Sequence, residues 1–301
     1  MNIPAKRQDR ELAPLVSVVI PTYNRAHVLN RAIESVLAQT YSNFELIIVD
    51  DASTDNTIEL VDQFQDDRIV LMKHKNNQHA AAARNTGMQV ARGQYIAFLD
   101  SDDEWIEEKL AKQINLMESL GDAYGAVHSS ASIYKDGSNH AIYSRAEGEG
   151  AALKPYIVGD FVIWTPTVLF RRECLGVVGL MDTSLQRSQD RDFYIRLLKH
   201  YQIAKIDEAL ASIHLTTSKS ISNIALASRI TLLQKHEDTL LQLGWTVRRK
   251  AFSRQWLLQA EEFAVEGKKK EGLRYFLKAL CLWPFGPLRR HMAFTYKFIF
   301  N

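Results

Sequence analysis

Over its first hundred residues the chain alternates short β-branched runs with segments of helical spacing, and that alternation leaves few folds open. Residues 16–20 are apolar and β-branched and stop at Pro21. Residues 26–39 then repeat apolar side chains at Val28, Leu29, Ile33, Val36 and Leu37, the spacing of one helix face. The pattern continues with strands over 44–49, 69–72 and 94–99 and helices over 57–64 and 80–91. Such alternation predicts an α/β fold, a mostly parallel sheet with helices on both faces, whose ligands bind beyond the carboxyl ends of the strands.

Those ends are polar. The first strand runs into Pro21-Thr22-Tyr23-Asn24-Arg25, the second into Asp50-Asp51-Ala52-Ser53, and the strand over 94–99 into Asp100-Ser101-Asp102-Asp103. Taken singly, Asp and Ser after a strand are ordinary helix caps and turn residues. Together, five aspartates on one sheet edge would repel each other unless a cation or a donor-rich ligand sat among them.

Four motifs in order carry a family resemblance: Val16-Ser-Val-Val-Ile-Pro-Thr-Tyr-Asn-Arg25, Ile47-Ile-Val-Asp-Asp-Ala-Ser-Thr-Asp-Asn-Thr57, Ala83-Arg-Asn-Thr-Gly87 and Gly93-Gln-Tyr-Ile-Ala-Phe-Leu-Asp-Ser-Asp-Asp103. The chain resembles family 2 glycosyltransferases over about residues 15–222. The resemblance implies the GT-A fold, a Rossmann-like, mixed but mostly parallel sheet flanked by helices. It also implies inverting transfer from a nucleoside diphosphate sugar with Mn²⁺ or Mg²⁺ as cofactor. Pro21, Thr22, Tyr23 and Asp51 correspond to residues that hold uracil in similar enzymes, with a carboxylate facing the ring N–H. Asp102 corresponds to the direct metal ligand and Asp100 to a sugar or ribose contact. Hard carboxylate oxygens suit a cation that neutralises charge on a departing diphosphate. Arg84 faces phosphate or bridges to Asp51 or Asp100, and Asn85 satisfies loop backbone groups. Asp103 either joins the site or caps a helix starting near Glu104.

In the second half, residues 164–171 read as a strand edge with an aromatic, and Trp164 stacks on a sugar ring or fills the core. Gln189-Asp-Arg-Asp-Phe-Tyr-Ile-Arg-Leu197 resembles the family's Glu-Asp-x-Asp helix motif, with Gln189 in place of the usual Glu. Asp190 aligns with the general base that takes the acceptor proton, and Asp192 reads as a first-turn dipole partner of a helix over 193–200. His214, after a strand over 209–213, resembles a histidine found near metal or diphosphate; the alternative is a structural histidine.

The charge total hides an asymmetry. The 301 residues carry 37 Lys+Arg against 35 Asp+Glu, a net +2. Residues 246–301 hold 12 Lys/Arg against 4 Asp/Glu, which leaves 25 against 31 for 1–245. That split argues against a uniformly basic nucleic-acid binder. Helices over 228–243, 250–265 and 269–282 make the basic end a helical appendage; the cations and aromatics after Pro287 suit an anionic membrane surface or pack against the catalytic domain. The division expected is an extension over 1–14, a GT-A domain over 15–225 and a C-terminal helical region over 226–301. Cys174 and Cys281 alone build no disulfide scaffold, residues 1–11 lack the apolar stretch of a signal peptide, and no apolar run spans a bilayer. The expected setting is the cytoplasm, with peripheral contact at the cytoplasmic face of a membrane.

The activity expected is glycosyl transfer to a saccharide or lipid-linked acceptor in cell-envelope or exopolysaccharide synthesis. A dinucleotide-binding oxidoreductase would need a Gly-rich turn after the first strand, which Pro21-Thr-Tyr-Asn-Arg25 is not. A catalytically inactive nucleotide-sugar-binding or scaffold protein of the same fold stays as the alternative.

Overall fold

A computed structural model describes residues 14–284 apart from 136, 139, 186 and 216–221, with backbone only at 222–225. The expected N-terminal extension, all but Pro14, and the sequence after Pro284 lie outside the described residues. The strands are β1 (Val16–Thr22), β2 (Phe44–Asp50), β3 (Ile69–Lys73), β4 (Tyr95–Phe98), β5 (Glu104–Trp105), β6 (Tyr124–Lys135), β7 (Ile142–Ser144), β8 (Leu169–Arg171) and β9 (Gln202–Leu215). The helices are α1 (Leu29–Leu37), α2 (Thr57–Asp62), α3 (His79–Val90), α4 (Lys109–Ser119), α5 (Leu153–Val158), α6 (Leu175–Val178), α7 (Gln189–His200), α8 (Ser222–Lys235), α9 (Glu237–Gln242), α10 (Trp245–Val265) and α11 (Lys269–Leu282).

The chain forms two compact units. The first comprises Met1–Ala152, Ile163–Thr183 and Phe193–Thr217; the second comprises Leu153–Val162, Ser184–Asp192 and Ser218–Asn301. The second unit thus draws in two internal segments from within the 15–225 span and its third segment begins at Ser218, ahead of the boundary expected at 226.

Among its described residues the first unit has a nine-stranded sheet in the order β3-β2-β1-β4-β8-β6-β9-β5, with β7 beside β6. β1, β2, β3 and β4 are parallel, β8 is antiparallel to β4 and β6, and β6 runs parallel to β9. This is the mixed sheet expected, most of its paired positions being parallel. β1 and β2 are buried at every position, which is why they read as near-continuous apolar runs rather than alternating ones. Among the buried polar residues of these strands, Glu45 on β2 accepts from Ser17 Oγ at 2.6 Å and from Arg92 N and Nε at 2.7 and 2.8 Å. These bonds outweigh the burial that opposes its ionisation and hold its carboxyl below the usual range. α3 lies close on β1 because position 87 has no side chain: a Cβ there would stand 2.3 Å from Val19 Cγ1.

Two local expectations are corrected. The helix over 26–39 is confined to α1, since Val28 N and Leu29 N both bond Arg25 O in a turn that precedes it. No helix starts near Glu104: Glu104–Trp105 pair with Ser212 and Ala211 as a strand, and α4 begins at Lys109. The sequence signal there was two residues of strand, too short for any period to register.

In the second unit, α10 and α11 form a hairpin whose turn passes through Gly267 at φ +75°. Tyr275 stacks on Trp256 and Phe263 with ring centroids 5.5 and 5.4 Å apart. Arg249 caps the far end of α11, donating from Nε to Leu282 O at 2.6 Å and from Nη2 to Cys281 O at 3.0 Å. The helix expected over 228–243 is two helices, α8 and α9, and the one expected over 250–265 starts earlier, at Trp245. No helix among the described residues is long and apolar enough to cross a membrane.

Candidate functional site

The loops after β1 and β2 are fastened to each other. Asn24 turns the chain at φ +52°, its N–H donates to Ser53 Oγ at 2.9 Å, and its Oδ1 accepts from Thr54 N at 2.7 Å. Asp55 accepts from Ala26 N at 3.2 Å and from Thr57 N and Oγ1 at 3.1 and 2.5 Å. Partial burial opposes ionisation of Asp55, but the Thr57 and Ala26 hydrogen bonds prevail and lower its pKa. These tethers place Pro21, Thr22 and Tyr23 at a fixed distance from the end of β2.

At that end Asp51 is buried and bound on several sides. Its carboxylate accepts from His74 Nδ1 at 2.7 Å, from Gln78 N at 2.9 and 3.1 Å and from His79 N at 2.7 Å. The Thr86 hydroxyl, 2.8 Å from His74 Nε2, completes the chain. Ala52 and His79, which flank this arrangement, have φ of +66° and +70°, conformations that cost a non-glycine residue about 1 kcal/mol or more and cluster at functional sites.

The end of β4 is arranged otherwise. Asp100 is ion-paired with Arg84 of α3. Asp102 presents its backbone carbonyl to Arg31, while its Oδ2 lies 4.0 Å from Arg25 with the side chain one-third exposed. Asp103 turns inward and accepts from His214 N at 2.8 Å. Burial, and next the charge of Asp100, push its pKa up to about 8 against that hydrogen bond. Each of the five aspartates therefore meets donors or a cation supplied by the fold, Asp50 through Ser53 N at 3.1 Å. These donors offset part of the repulsion expected from sequence, and the remainder shows at Asp103, whose carboxyl is pushed up by burial with the help of the charges of Asp100 and Asp102.

A cavity of about 300 Å³ opens at these strand ends, at the small end of the range for ligand sites. Pro21, Thr22, Tyr23, Asp51, Arg84, Asp100 and Asp102 all line it. Thr22 keeps a buried hydroxyl with no hydrogen-bond partner. Residues 17–175 match the sequence pattern described as glycosyl transferase family 2.

The chain belongs to glycosyl transferase family 2.

Among relatives, it is 34% identical over 226 residues to the putative teichuronic acid biosynthesis glycosyltransferase TuaG of Bacillus subtilis, covering 72% of this chain and 86% of that protein. It is 46% identical over 105 residues to WfaP of Escherichia coli, a UDP-Glc:alpha-D-GlcNAc-diphosphoundecaprenol beta-1,3-glucosyltransferase; that match covers 35% of this chain and 42% of WfaP. Among solved structures, S. aureus TarS in complex with UDP-GlcNAc superposes with a TM-score of 0.65 at 17% identity, covering 94% of this chain and 86% of that one, a likeness of fold.

The remaining family 2 expectations fall elsewhere. Trp164 does not line the cavity; its Nε1 donates to Ser144 Oγ at 3.0 Å and its ring packs against Ala131, Ile133 and Ile213. His214 is likewise absent from the lining: Nε2 lies 3.1 Å from Glu104 Oε1, and the ring stacks on Tyr134 at 5.0 Å. Asp190 belongs to the second unit, in the first turn of α7, and its Oδ1 accepts from Arg191 N at 2.7 Å. Asp192 stands in the first turn of α7, as the dipole reading expects, and is also a buried ion-pair partner of Lys235 Nζ at 2.8 Å and His236 Nε2 at 2.9 Å. Asn85 bonds Met181 through both its amide atoms at 2.9 Å, the loop-satisfying role expected.

Sequence reasoning missed Arg25, Asn77, His79 and Ser101 in the lining and His74 behind it. Arg25 and Ser101 sat inside quoted motifs, but the polar loop over 74–79 has no periodicity to mark it.

A metal fits this site under one condition. Among the described residues no group of three His, Cys, Asp or Glu is placed to hold one. Asp102 and Asp100 supply hard oxygen donors at the cavity, the set that suits a divalent cation completed by substrate phosphate oxygens rather than by a protein cage.

Proposed function

We propose that this family 2 member transfers a sugar from a nucleoside diphosphate donor, a UDP-sugar, to a saccharide or lipid-linked acceptor, with inversion and with Mn²⁺ or Mg²⁺. The observation that carries this reading is the cavity at the strand ends, lined by Pro21, Thr22, Tyr23, Asp51, Arg84, Asp100 and Asp102. WfaP by its name uses UDP-Glc on a diphosphoundecaprenol-linked sugar, and TarS binds UDP-GlcNAc; both support a uridine donor. TuaG supports a role in envelope polysaccharide synthesis.

In this mechanism Asp51, immobilised by His74 and by the Gln78 and His79 amides, accepts the ring N–H of uracil. Arg84 stays on Asp100 and orients it toward the sugar or ribose. Asp102 is the residue that would hold the cation, with Asp100 beside it. When bound, that cation neutralises charge building on the diphosphate. Asp190 accepts the proton of the acceptor hydroxyl while its oxygen bonds to the anomeric carbon. The anomeric C–O bond breaks at the same time, and its electron pair leaves with the nucleoside diphosphate. Attack opposite the leaving group inverts the centre, as in one-step inverting glycoside hydrolysis. Trp164 and His214 stand off the cavity lining, so a role for Trp164 toward the acceptor and for His214 toward the metal or diphosphate requires that the bound substrates extend beyond it. The setting proposed is the cytoplasmic face of a membrane, contacted peripherally by the basic C-terminal region.

The test is a thermal-shift screen of UDP-, GDP- and dTDP-sugars with and without Mn²⁺, followed by product analysis with a lipid-linked acceptor. The expected result is stabilisation by a UDP-sugar that deepens with Mn²⁺. Stabilisation without product formation across acceptors would favour the inactive scaffold, and no shift with any donor would remove the transferase reading.

A further inference from the structure

Helix α11 carries two parallel ridges of opposite character. Lys270, Arg274 and Lys278 recur every fourth residue, and Leu273, Leu277 and Cys281 recur every fourth residue beside them. At 3.6 residues per turn, such rows lie next to each other along one helix face, about 20 Å long. Both leucines are exposed, Leu273 by 40% and Leu277 by 52%. Together with Trp256 of α10 and Leu282, these residues line an apolar groove whose lining holds three cations and no acid. Lys278 keeps its ammonium 4.9 Å from the Trp256 ring centroid and 5.1 Å from that of Tyr275, which steadies that end of the cationic ridge.

The geometry points to a bilayer surface of anionic lipid as the partner of this face. Apolar side chains flanked by a row of cations match acyl chains beneath anionic headgroups. The charge pattern argues against two other occupants. A second copy seated by two-fold symmetry would bring six cations to one interface with no acid among the lining residues to offset them. The sequence after Pro284 carries Arg289, Arg290 and Lys297 and no Asp or Glu, so it repeats the sign of the groove instead of complementing it. The inference deepens the peripheral contact proposed above and rests on that reading for its purpose, while the surface itself rests on the two ridges.

The experiment is co-sedimentation of the full chain with vesicles of phosphatidylcholine alone and of phosphatidylcholine with an equal part of phosphatidylglycerol. Wild type is expected to bind the mixed vesicles, to ignore the neutral ones and to release as salt rises. Replacing Lys270, Arg274 and Lys278 by Gln should weaken binding about 100-fold, each cation near an anionic surface being worth about fivefold. A double variant, Lys270→Gln with Arg274→Gln, leaves Lys278 on its rings and should weaken binding about 25-fold. Leu273→Ser with Leu277→Ser should reduce binding to the mixed vesicles at unchanged salt sensitivity. Thermal melts of each variant matching wild type keep the comparison fair. Equal binding by wild type and variants, or no binding by wild type, overturns the proposal. So does a wild-type dimer that the leucine variant dissolves, which would assign the face to a second copy. UDP calorimetry on the same samples separates the two readings: vesicle binding without UDP binding strikes the donor assignment alone, and the reverse strikes the membrane face alone.

Discussion

The carboxyl-end edge of the sheet and the first turn of α7 both gather aspartates, and they use them differently. At the edge, Asp51, Asp100 and Asp102 line a cavity, and the donors that steady them come from behind or beside. In α7, Asp192 is fully buried between Lys235 and His236. Asp190, two residues earlier, is half-buried and accepts from its neighbour's amide. In sequence these residues are alike; the difference lies in which donors the fold brings to each carboxylate and whether a face is left for a ligand. A buried, paired carboxylate serves the fold, and a carboxylate with one open side can serve chemistry.

The comparison breaks most sharply at Asp190. Replacing it by Asn is expected to slow transfer by up to about 10⁴-fold while leaving the UDP dissociation constant unchanged, measured by single-turnover kinetics and calorimetry. Normal transfer would sink the base assignment. Asp192→Ala should act on stability instead, costing about 1–3 kcal/mol in denaturant unfolding because the buried His236 ring loses its acceptor. Transfer per folded molecule should be retained. Asp102→Ala is expected to lower metal-dependent turnover by roughly 10²–10³-fold and to abolish the Mn²⁺ increment in thermal shift. An unchanged Mn²⁺ increment would place the cation elsewhere.

Smaller effects sharpen the same contrast. His79→Gly relieves the positive φ and should stabilise the fold by about 1 kcal/mol. If its imidazole also meets the ligand, UDP binding weakens by up to about tenfold, so stability and affinity move in opposite directions. Stabilisation with unchanged affinity would leave His79 only its amide to contribute. The least effect concerns His128, whose pKa burial pushes down to about 4, against a hydrogen bond to Gly148 O at 3.2 Å. The folded state then binds fewer protons than the unfolded chain between about pH 6.5 and 4, so stability falls as pH falls through that window, by about 1 kcal/mol at pH 6. His128→Asn should flatten that part of the acid unfolding curve; an unaltered curve would refute it.

The parallel half of the sheet was legible because β1, β2 and β4 are buried on both faces and leave continuous apolar runs, bounded by Pro21 and by aspartates. The strand-end rule then located the cavity, and of the nine binding and metal residues named from sequence seven line it while Trp164 and His214 do not. Other features left no comparable trace. β6 and the first half of β9 mix Ser, His, Lys and Asp with apolar residues, so no run or alternation announces them. The loop over 74–79 is ordered by Asp51, a contact 23 to 28 residues distant that local spacing does not encode. Asp192 showed its place in a first helical turn but not its ion pair, because Lys235 and His236 lie more than forty residues away. Long-range donors decide the roles of Asp51 and Asp192, and a linear reading sees only the aspartates.

For anyone reshaping this protein, Gly87 sets a hard boundary. Helix propensity alone would recommend alanine in the middle of α3, a gain of about 1 kcal/mol. The space above Val19 refuses even that methyl, so a substitution scan should find position 87 among the least tolerant on the helix. Since α3 also carries Arg84 and begins at His79, any shift that made room at 87 would move cavity wall and helix together. Stability engineering and substrate engineering therefore meet at one hydrogen atom, and neither can proceed there without redesigning β1 opposite.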